Sequence, residues 1–336
     1  MKLALNHIAI EVTSVCNLNC KYCYNIWKMP DTEYVHSNLN TYNQTIKTLK
    51  KLFKLADIKQ IAFTGGEPFM AERFLEIVLF CRMKGKSITI ISNGTYAKDE
   101  DYKHLIDMGV GLFEIPIHSN NYIIHDAMTQ QNGSWEKSQH SIKYIIENGG
   151  YVVPVIVLTK FNAEVIEDTL KFISSLGLKR IMLNRYNIGG HGVKAPLDVS
   201  PTIKEIQNAF GIANSVSKEL NLTISSNVCT PRCVLNPKDY DNIAFGNCST
   251  NVLNRPITLD IKGDMRLCNH SPIVAGNIYK QDLPEILFST YSEKWENEIP
   301  DYCIDCKLWN QCLGGCRAAS EQMNMSLSTV DPICNI

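Results

Sequence analysis

The sequence predicts an α/β fold in which a parallel sheet is followed by a smaller, cysteine-rich domain. Between residues 7 and 186, short apolar runs alternate with segments of helical periodicity, a spacing typical of βαβ units. Near Ser225 this alternation stops, and nine of the thirteen cysteines follow. We therefore predict one domain over residues 1–225 and a second over residues 226–336.

Each predicted element rests on the spacing of its apolar residues. The first strand places Ile8, Ile10 and Val12 on one face, because side chains alternate along a strand. The last long helix is predicted to begin at Ser200, a favoured cap residue that Pro201 follows. The predicted strands are residues 7–13, 61–64, 88–91, 112–118, 151–158 and 180–186. The predicted helices are residues 46–56, 74–81, 99–108, 135–147, 163–175 and 200–220.

Composition limits the classes of function. The chain has 336 residues, 45% of them hydrophobic, which is enough for two domains with buried cores. A net charge of −1 gives no field that would attract nucleic acid or an anionic membrane. No signal peptide and no apolar run of membrane-spanning length occur, so we expect a soluble, cytoplasmic protein. Cysteines in such a protein are expected to be metal ligands rather than disulfides.

Three cysteines directly follow the first predicted strand. Cys16, Cys20 and Cys23 are separated by three and then two residues, so one loop delivers three thiolates. This spacing suits an iron–sulfur cluster, and three ligands on a four-iron cluster leave one iron open. Taken alone, the loop is also compatible with half of a zinc site or one edge of a disulfide framework.

A second motif, Gly65-Gly66-Glu67-Pro68, follows the next predicted strand. The two motifs, in this order and at strand ends, resemble those of the radical S-adenosylmethionine (radical SAM) superfamily. The resemblance implies a partial (β/α)6 barrel that holds a [4Fe–4S] cluster on Cys16, Cys20 and Cys23. It further implies that the open iron binds S-adenosylmethionine, which the reduced cluster cleaves to a 5′-deoxyadenosyl radical.

The same resemblance implies cofactor contacts at the strand ends. Gly65 and Gly66 would let the backbone approach the methionine moiety, and Glu67 would accept a hydrogen bond from its ammonium group. Ser92 and Asn93, at the end of the third predicted strand, would also contact the cofactor. The alternative interpretation is that both residues simply form a turn after this strand.

The C-terminal cysteines resemble the SPASM extension of radical SAM enzymes, which binds two auxiliary four-iron clusters. The whole chain would then carry three [4Fe–4S] clusters. A structural zinc site on the cysteines from Cys303 to Cys316 is the alternative, because CxxC spacing also suits zinc. The resemblance assigns a distal cluster to Cys303, Cys306, Cys312 and Cys334, and a proximal cluster to Cys248, Cys268 and Cys316.

The proximal cluster lacks a fourth ligand at the usual place, a few residues before Cys248. Either Cys233 or Cys229 would complete it, and we include Cys233 among the predicted metal ligands. Alternatively, the site stays open and its free iron binds a substrate thiolate.

Two positions depart from patterns known in this family. Sulfatase maturases carry an aspartate base where this chain has Asn269, which argues against that activity. In the fourth strand, Pro116 and His118 replace a polar residue and a carboxylate, and we predict His118 as a candidate general base. Tyr22 matches the aromatic position that packs near adenine, although a buried cap on the cluster is an equal interpretation.

These observations predict a peptide maturase that crosslinks or otherwise oxidises a ribosomally made peptide or protein. A dehydrogenase or biosynthetic enzyme acting on a small molecule is the first alternative, and a non-catalytic iron–sulfur protein is the second. The chain begins almost at its first strand, so we expect no leader-binding module before it. A substrate peptide would then bind a sheet edge, the loop of residues 24–42 or a separate leader-binding protein. The reductant is expected to be a flavodoxin or ferredoxin.

Overall fold

A single sheet of eleven strands runs through the part of the chain that the computed structural model describes, residues 2–30, 32 and 41–335. The strand order is β11-β10-β9-β1-β2-β3-β4-β5-β6-β7-β8. The strands are β1 (Leu3–Thr13), β2 (Ala56–Gly65), β3 (Ser87–Ile91), β4 (Leu112–Pro116), β5 (Val152–Leu158), β6 (Arg180–Arg185), β7 (Thr223–Ser226), β8 (Ile243–Phe245), β9 (Thr258–Asp260), β10 (Asp264–Arg266) and β11 (Val274–Asn277).

Helices connect these strands and cover the sheet. Seven helices belong to the strand–helix units, and four short ones lie in the C-terminal region of the described chain. They are α1 (Tyr42–Leu55), α2 (Phe74–Met83), α3 (Asp99–Asp107), α4 (Tyr122–Thr129), α5 (Ser134–Glu147), α6 (Ile166–Ser175), α7 (Ile203–Leu220), α8 (Leu283–Leu287), α9 (Thr290–Asn297), α10 (Trp309–Cys312) and α11 (Arg317–Gln322).

The six predicted strands are all present as β1 to β6, and each pairs in parallel with the next. Their alternating residues Ile8, Ile10 and Val12 join the main core with Leu49 of α1 and Ile77 of α2. The carboxyl ends of parallel strands share one edge of the sheet, so the loops that follow them meet there. This places the cysteine loop, the glycine turn and the loop after β3 side by side.

Several predicted boundaries are wrong by a few residues. α7 begins after Thr202, whose side chain accepts a hydrogen bond from the backbone N–H of Glu205 while Glu205 bonds back to Thr202. This capping box stabilises the helix start better than Ser200, whose hydroxyl is buried without a partner among the described residues. Ala56, predicted as helical, is the first residue of β2 because α1 continues into the strand without a loop.

The C-terminal region extends the sheet at both sides. β7 and β8 add in parallel beyond β6, while β9 pairs with β1, and β10 and β11 follow it in antiparallel. The predicted boundary between residues 225 and 226 therefore falls inside β7. The division into two domains remains a prediction.

Cys81 on α2 is fully buried in the main core, as predicted for a residue on the apolar side of that helix. Among the described residues, every helix is too short or too polar to cross a membrane.

Candidate active site and cysteine clusters

The three predicted cluster ligands share one half-buried loop after β1. The Cys23 backbone N–H donates to the Cys20 carbonyl at 3.2 Å, which curls the loop, and the Leu18 N–H donates to the Cys16 Sγ at 3.5 Å. Burial, and then the nearby thiols, raise the pKa of Cys20 to about 12. Burial likewise raises the pKa of Cys23 to about 11. Thiolates in this position therefore need a compensating positive charge, which iron supplies.

The glycine pair packs the end of β2 against the root of the cysteine loop. The Gly66 N–H donates to the Thr13 carbonyl at 2.7 Å, and the Glu67 N–H donates to the Val15 carbonyl at 2.8 Å. A Cβ on Gly66 would lie 2.1 Å from the Val15 oxygen, and Gly65 has a φ of 135°. Only glycine permits this approach. The expected contact of the pair with methionine remains a prediction.

Glu67 links the glycine turn to the end of β3. Its buried carboxylate accepts hydrogen bonds from the Ser92 hydroxyl at 2.9 Å and the Asn93 backbone N–H at 2.8 Å. The Asn93 amide in turn donates to the Asn17 side chain at 2.8 Å and lies 3.7 Å from the Cys16 Sγ. Burial raises the pKa of Glu67 to about 7, although these hydrogen bonds oppose the shift. Cys16, Glu67, Ser92 and Asn93, which the sequence predicts as site residues on three separate segments, thus belong to one network of polar contacts.

Tyr22 and His118 pack against each other beneath the loop, with ring centroids 4.5 Å apart. The His118 Nδ1 accepts a hydrogen bond from the Val157 N–H at 3.2 Å, so its Nε2 carries the hydrogen. Burial, followed by the charge of His125, lowers the pKa of His118 well below its usual value. A buried neutral ring held in this way suits a structural role, and proton transfer by His118 remains a prediction.

A first group of C-terminal thiols consists of Cys229, Cys248, Cys268 and Cys316. Cys229, Cys248 and Cys268 pack against a small buried cluster that contains Cys316. The hydrogen bond to Cys248, then burial and the charges of the other thiols, raise the pKa of Cys229 well above its usual value. The Asn187 amide also donates to the Cys316 Sγ at 3.1 Å. The structure thus brings the three predicted proximal ligands together with Cys229.

A second group surrounds a cavity of about 390 Å³ near the C terminus. The cavity is lined by Cys303, Cys306, Cys312 and Cys233, and the Cys233 Sγ lies 3.9 Å from that of Cys334. Five thiols, the four predicted distal ligands and Cys233, therefore lie around one site. Cys233 is with the distal group rather than with the proximal one.

The donor sets suit clusters better than single ions. All thirteen cysteines are free thiols. In the described part of the chain, no three cysteine, histidine or acidic side chains converge closely enough to hold one metal ion. A four-iron cluster spreads its thiolates farther apart than a single ion does, so this finding concerns mononuclear sites. The sulfur-only composition of each group fits iron–sulfur ligation.

Polar contacts join the first cysteine loop to the proximal group. The Asn269 side-chain amide donates a hydrogen bond to the Tyr24 hydroxyl at 2.8 Å. Asn269 directly follows Cys268, a predicted proximal ligand, and Tyr24 directly follows Cys23. The Gln322 amide donates at 2.7 Å to the carbonyls of both Tyr24 and His270. Sequence reasoning missed Gln322, because nothing in the local pattern of α11 distinguishes it. The cysteine loop after β1 and the proximal group of thiols are therefore neighbours.

A larger cavity of about 790 Å³ lies beside this junction. Its walls come from β1, from the strands β9 to β11 and from the loop after the cysteines, which contributes Ile26 and Met29. Glu11 and Arg266 form a buried ion pair in the wall, and the Glu11 Oε2 has no hydrogen-bond partner among the described residues. Of the loop of residues 24–42 that was predicted to bind peptide, residues 31 and 33–40 lie outside the described residues.

Comparison with known sequences gives relatives of two kinds. The AdoMet-dependent heme synthase of Oleidesulfovibrio alaskensis is 25% identical over 340 residues, which cover 97% of this chain and 86% of that protein. The antilisterial bacteriocin subtilosin biosynthesis protein AlbA of Bacillus subtilis is 27% identical over 329 residues, which cover 92% of this chain and 66% of AlbA.

Comparison with solved structures extends the likeness to the whole fold. SuiB of Streptococcus suis, solved with its precursor peptide SuiA, matches with a TM-score of 0.76 at 14% identity. The match covers 100% of this chain and 77% of SuiB, and it confirms the predicted combination of a partial barrel with a SPASM-type domain. The family model of the radical SAM superfamily matches residues 10–173, where both sequence motifs lie. The matched residues, 10–173, are therefore assigned to the radical SAM superfamily.

Proposed function

We propose that this protein is a radical SAM enzyme that oxidatively modifies a ribosomally made peptide, by crosslinking or a related reaction. The observation that carries the proposal is the hydrogen bond from Asn269 to Tyr24, which joins the segment that follows Cys268 to the segment that follows Cys23. Such contact suits a reaction in which a substrate lies between a radical source and a second cluster. The similarity to AlbA and to peptide-bound SuiB supports a peptide as that substrate.

Cys16, Cys20 and Cys23 would hold the first cluster, and its open iron would bind S-adenosylmethionine. When bound and reduced, this pair supplies a 5′-deoxyadenosyl radical that removes a hydrogen atom from the substrate. The chain's own task is to hold the strand-end loops in place. Glu67 does so by accepting hydrogen bonds from Ser92 and Asn93, which fixes the loop after β3 next to Cys16.

The auxiliary clusters would extend this chemistry to oxidation. Cys303, Cys306, Cys312 and Cys334 would hold the distal cluster, and Cys248, Cys268 and Cys316 would contribute to the proximal one. Removing a hydrogen atom and then an electron from the substrate is a two-electron oxidation, so an electron acceptor nearby is required. A flavodoxin or ferredoxin would supply electrons to the first cluster and accept them from the auxiliary ones.

The 790 Å³ cavity is our candidate for the substrate site. Its volume falls in the range of about 300–1,000 Å³ that is common for ligand pockets. β11 is an edge strand beside it, with Val274 in the cavity wall and 48% exposed. An extended peptide would add to this edge through backbone hydrogen bonds and place one side chain in the cavity.

A small-molecule substrate is the second candidate. The match to the heme synthase favours a small-molecule substrate, because it covers 97% of this chain and so includes both the cysteine loop after β1 and the C-terminal cysteines. The two candidates share the radical source and differ in what enters the cavity.

Mass spectrometry of reaction products separates the two candidates. The reconstituted protein is incubated without oxygen with S-adenosylmethionine, dithionite and either small cysteine-containing peptides or iron-free and iron-bound porphyrin carboxylates. We expect a peptide to raise the yield of 5′-deoxyadenosine and to lose about 2 Da, the mass of two hydrogens. Stimulation by a porphyrin carboxylate alone would instead support the small-molecule function.

A further inference from the structure

The ligand set of the proximal auxiliary cluster is incomplete in the family pattern, since the usual fourth cysteine before Cys248 is absent. We propose that Cys229 is the fourth ligand of this cluster, which therefore has no iron open to a substrate thiolate. This inference rests on the proposed function, because it presupposes the auxiliary clusters. It replaces the alternative in which the proximal cluster binds the substrate directly.

The first support is the position of the thiol. Cys229 packs with Cys248 and Cys268 on the buried cluster around Cys316. No other cysteine of the described chain joins this cluster. Four thiols in one place match the four ligands of a closed [4Fe–4S] cluster.

The second support is the way the backbone is held. Arg185, at the end of β6, donates from Nη2 to the Cys229 carbonyl at 2.8 Å and from Nε to the Thr230 hydroxyl at 3.2 Å. It also forms a fully buried ion pair with Asp331, whose carboxylate accepts the Cys316 backbone N–H at 2.7 Å. One ion pair thus fixes two of the four proposed ligands relative to each other.

The third support is the exclusion of the competing residue. Cys233 lies at the other end of the same short loop and lines the distal cavity, with its Sγ 3.9 Å from that of Cys334. Between the two cysteines, the Arg232 backbone N–H donates to the Cys312 Sγ at 3.3 Å, which ties this end of the loop to the distal group. The loop therefore directs Cys229 to one site and Cys233 to the other.

The closing of the proximal cluster has a chemical consequence. Four thiolates occupy every iron, so a substrate thiol has no vacant coordination position at this site. The proximal cluster is then restricted to carrying electrons. The substrate would then be bound by residues of the 790 Å³ cavity and not by an iron of this cluster.

The test compares Cys229→Ala and Cys229→Ser in the full chain, each combined with alanine at Cys16, Cys20 and Cys23 so that only auxiliary clusters remain. Iron content and the electron paramagnetic resonance spectrum of the dithionite-reduced protein are recorded with and without 2-mercaptoethanol. We expect the spectrum of the Cys229 variants to change on adding this thiol, or about four irons to be lost, whereas the background protein is unaffected. Cys233→Ala is the matched control and leaves the proximal signal unchanged.

Two results would overturn the inference. One is a Cys229 variant with the iron content and spectrum of its background, insensitive to the thiol. The other is a background protein whose own spectrum responds to the thiol, since its proximal cluster would then be open. The serine variant decides the matter if the alanine variant does not fold. A parent protein with only about four irons would show that the auxiliary clusters themselves are absent, which refutes the proposed function before any Cys229 variant is compared.

Discussion

Replacing Cys16, Cys20 and Cys23 together with alanine is expected to lower the iron content from about twelve to about eight per chain. The same variant should form no 5′-deoxyadenosine from S-adenosylmethionine, because the open iron that binds this cofactor is lost with its cluster. The loop is fixed to β1 and β2 by backbone contacts of Gly66 and Glu67 that do not involve the three thiols. We therefore expect the fold and the auxiliary clusters to survive, and iron analysis with an assay for 5′-deoxyadenosine measures both effects.

Cys81→Ala is the control for this triple variant. Cys81 is buried in the main core on α2, away from all three cysteine groups, so its loss should lower stability without removing iron. An unchanged iron content in the triple variant would refute the first cluster. A fall to about zero would show that the three clusters are not independent.

Changing Gly66 to alanine is expected to displace the cysteine loop. The new Cβ would lie 2.1 Å from the Val15 oxygen and 2.9 Å from that of Ser14, both of them backbone atoms just before Cys16. Neither atom is the end of a flexible side chain, so the loop itself has to move. Overpacking typically destabilises by about 1–3 kcal/mol, and we expect the upper end of this range here because the clashing atoms belong to the backbone. We expect a lower denaturation midpoint and loss of about four irons, measured by urea titration and iron analysis.

Gly211→Ala is the matched control on α7. An added Cβ there meets no heavy atom within 4 Å, and alanine favours helix over glycine by about 0.5–1 kcal/mol. That variant should keep all its iron and gain slightly in stability. If Gly66→Ala behaved in the same way, the close approach between the two loops would not be what positions the cysteines.

Strong local patterns made the barrel predictable from the sequence. The alternation of Ile8, Ile10 and Val12 and its repeats identified β1 to β6, since buried parallel strands are rich in apolar residues. The strands β7 to β11 were missed because they have three or four residues each, too few for a periodic signal. The helices α4 and α8 to α11 were missed as well. The capping box of Thr202 and Glu205 was present in the sequence and outweighed the Ser-Pro pair.

The candidate site was predictable where motifs are contiguous and not where distant segments meet. Cys16, Cys20 and Cys23 lie on one loop, so their spacing alone indicated a shared function. The grouping of Cys229 with Cys316 depends on a buried ion pair between residues 146 positions apart, which no local pattern reports. Glu67 likewise contacts Ser92 and Asn93 across the ends of two strands, so no local pattern in the sequence indicates these hydrogen bonds.

The measurement that tests the account most directly is cofactor cleavage by the unmodified chain. The protein is reconstituted with iron and sulfide without oxygen, reduced with dithionite and incubated with S-adenosylmethionine, and the products are quantified by liquid chromatography with mass spectrometry. The account predicts 5′-deoxyadenosine and methionine in equal amounts, in slow turnover without substrate. A protein with its full iron content that leaves S-adenosylmethionine intact would contradict it and would indicate a non-catalytic iron–sulfur protein.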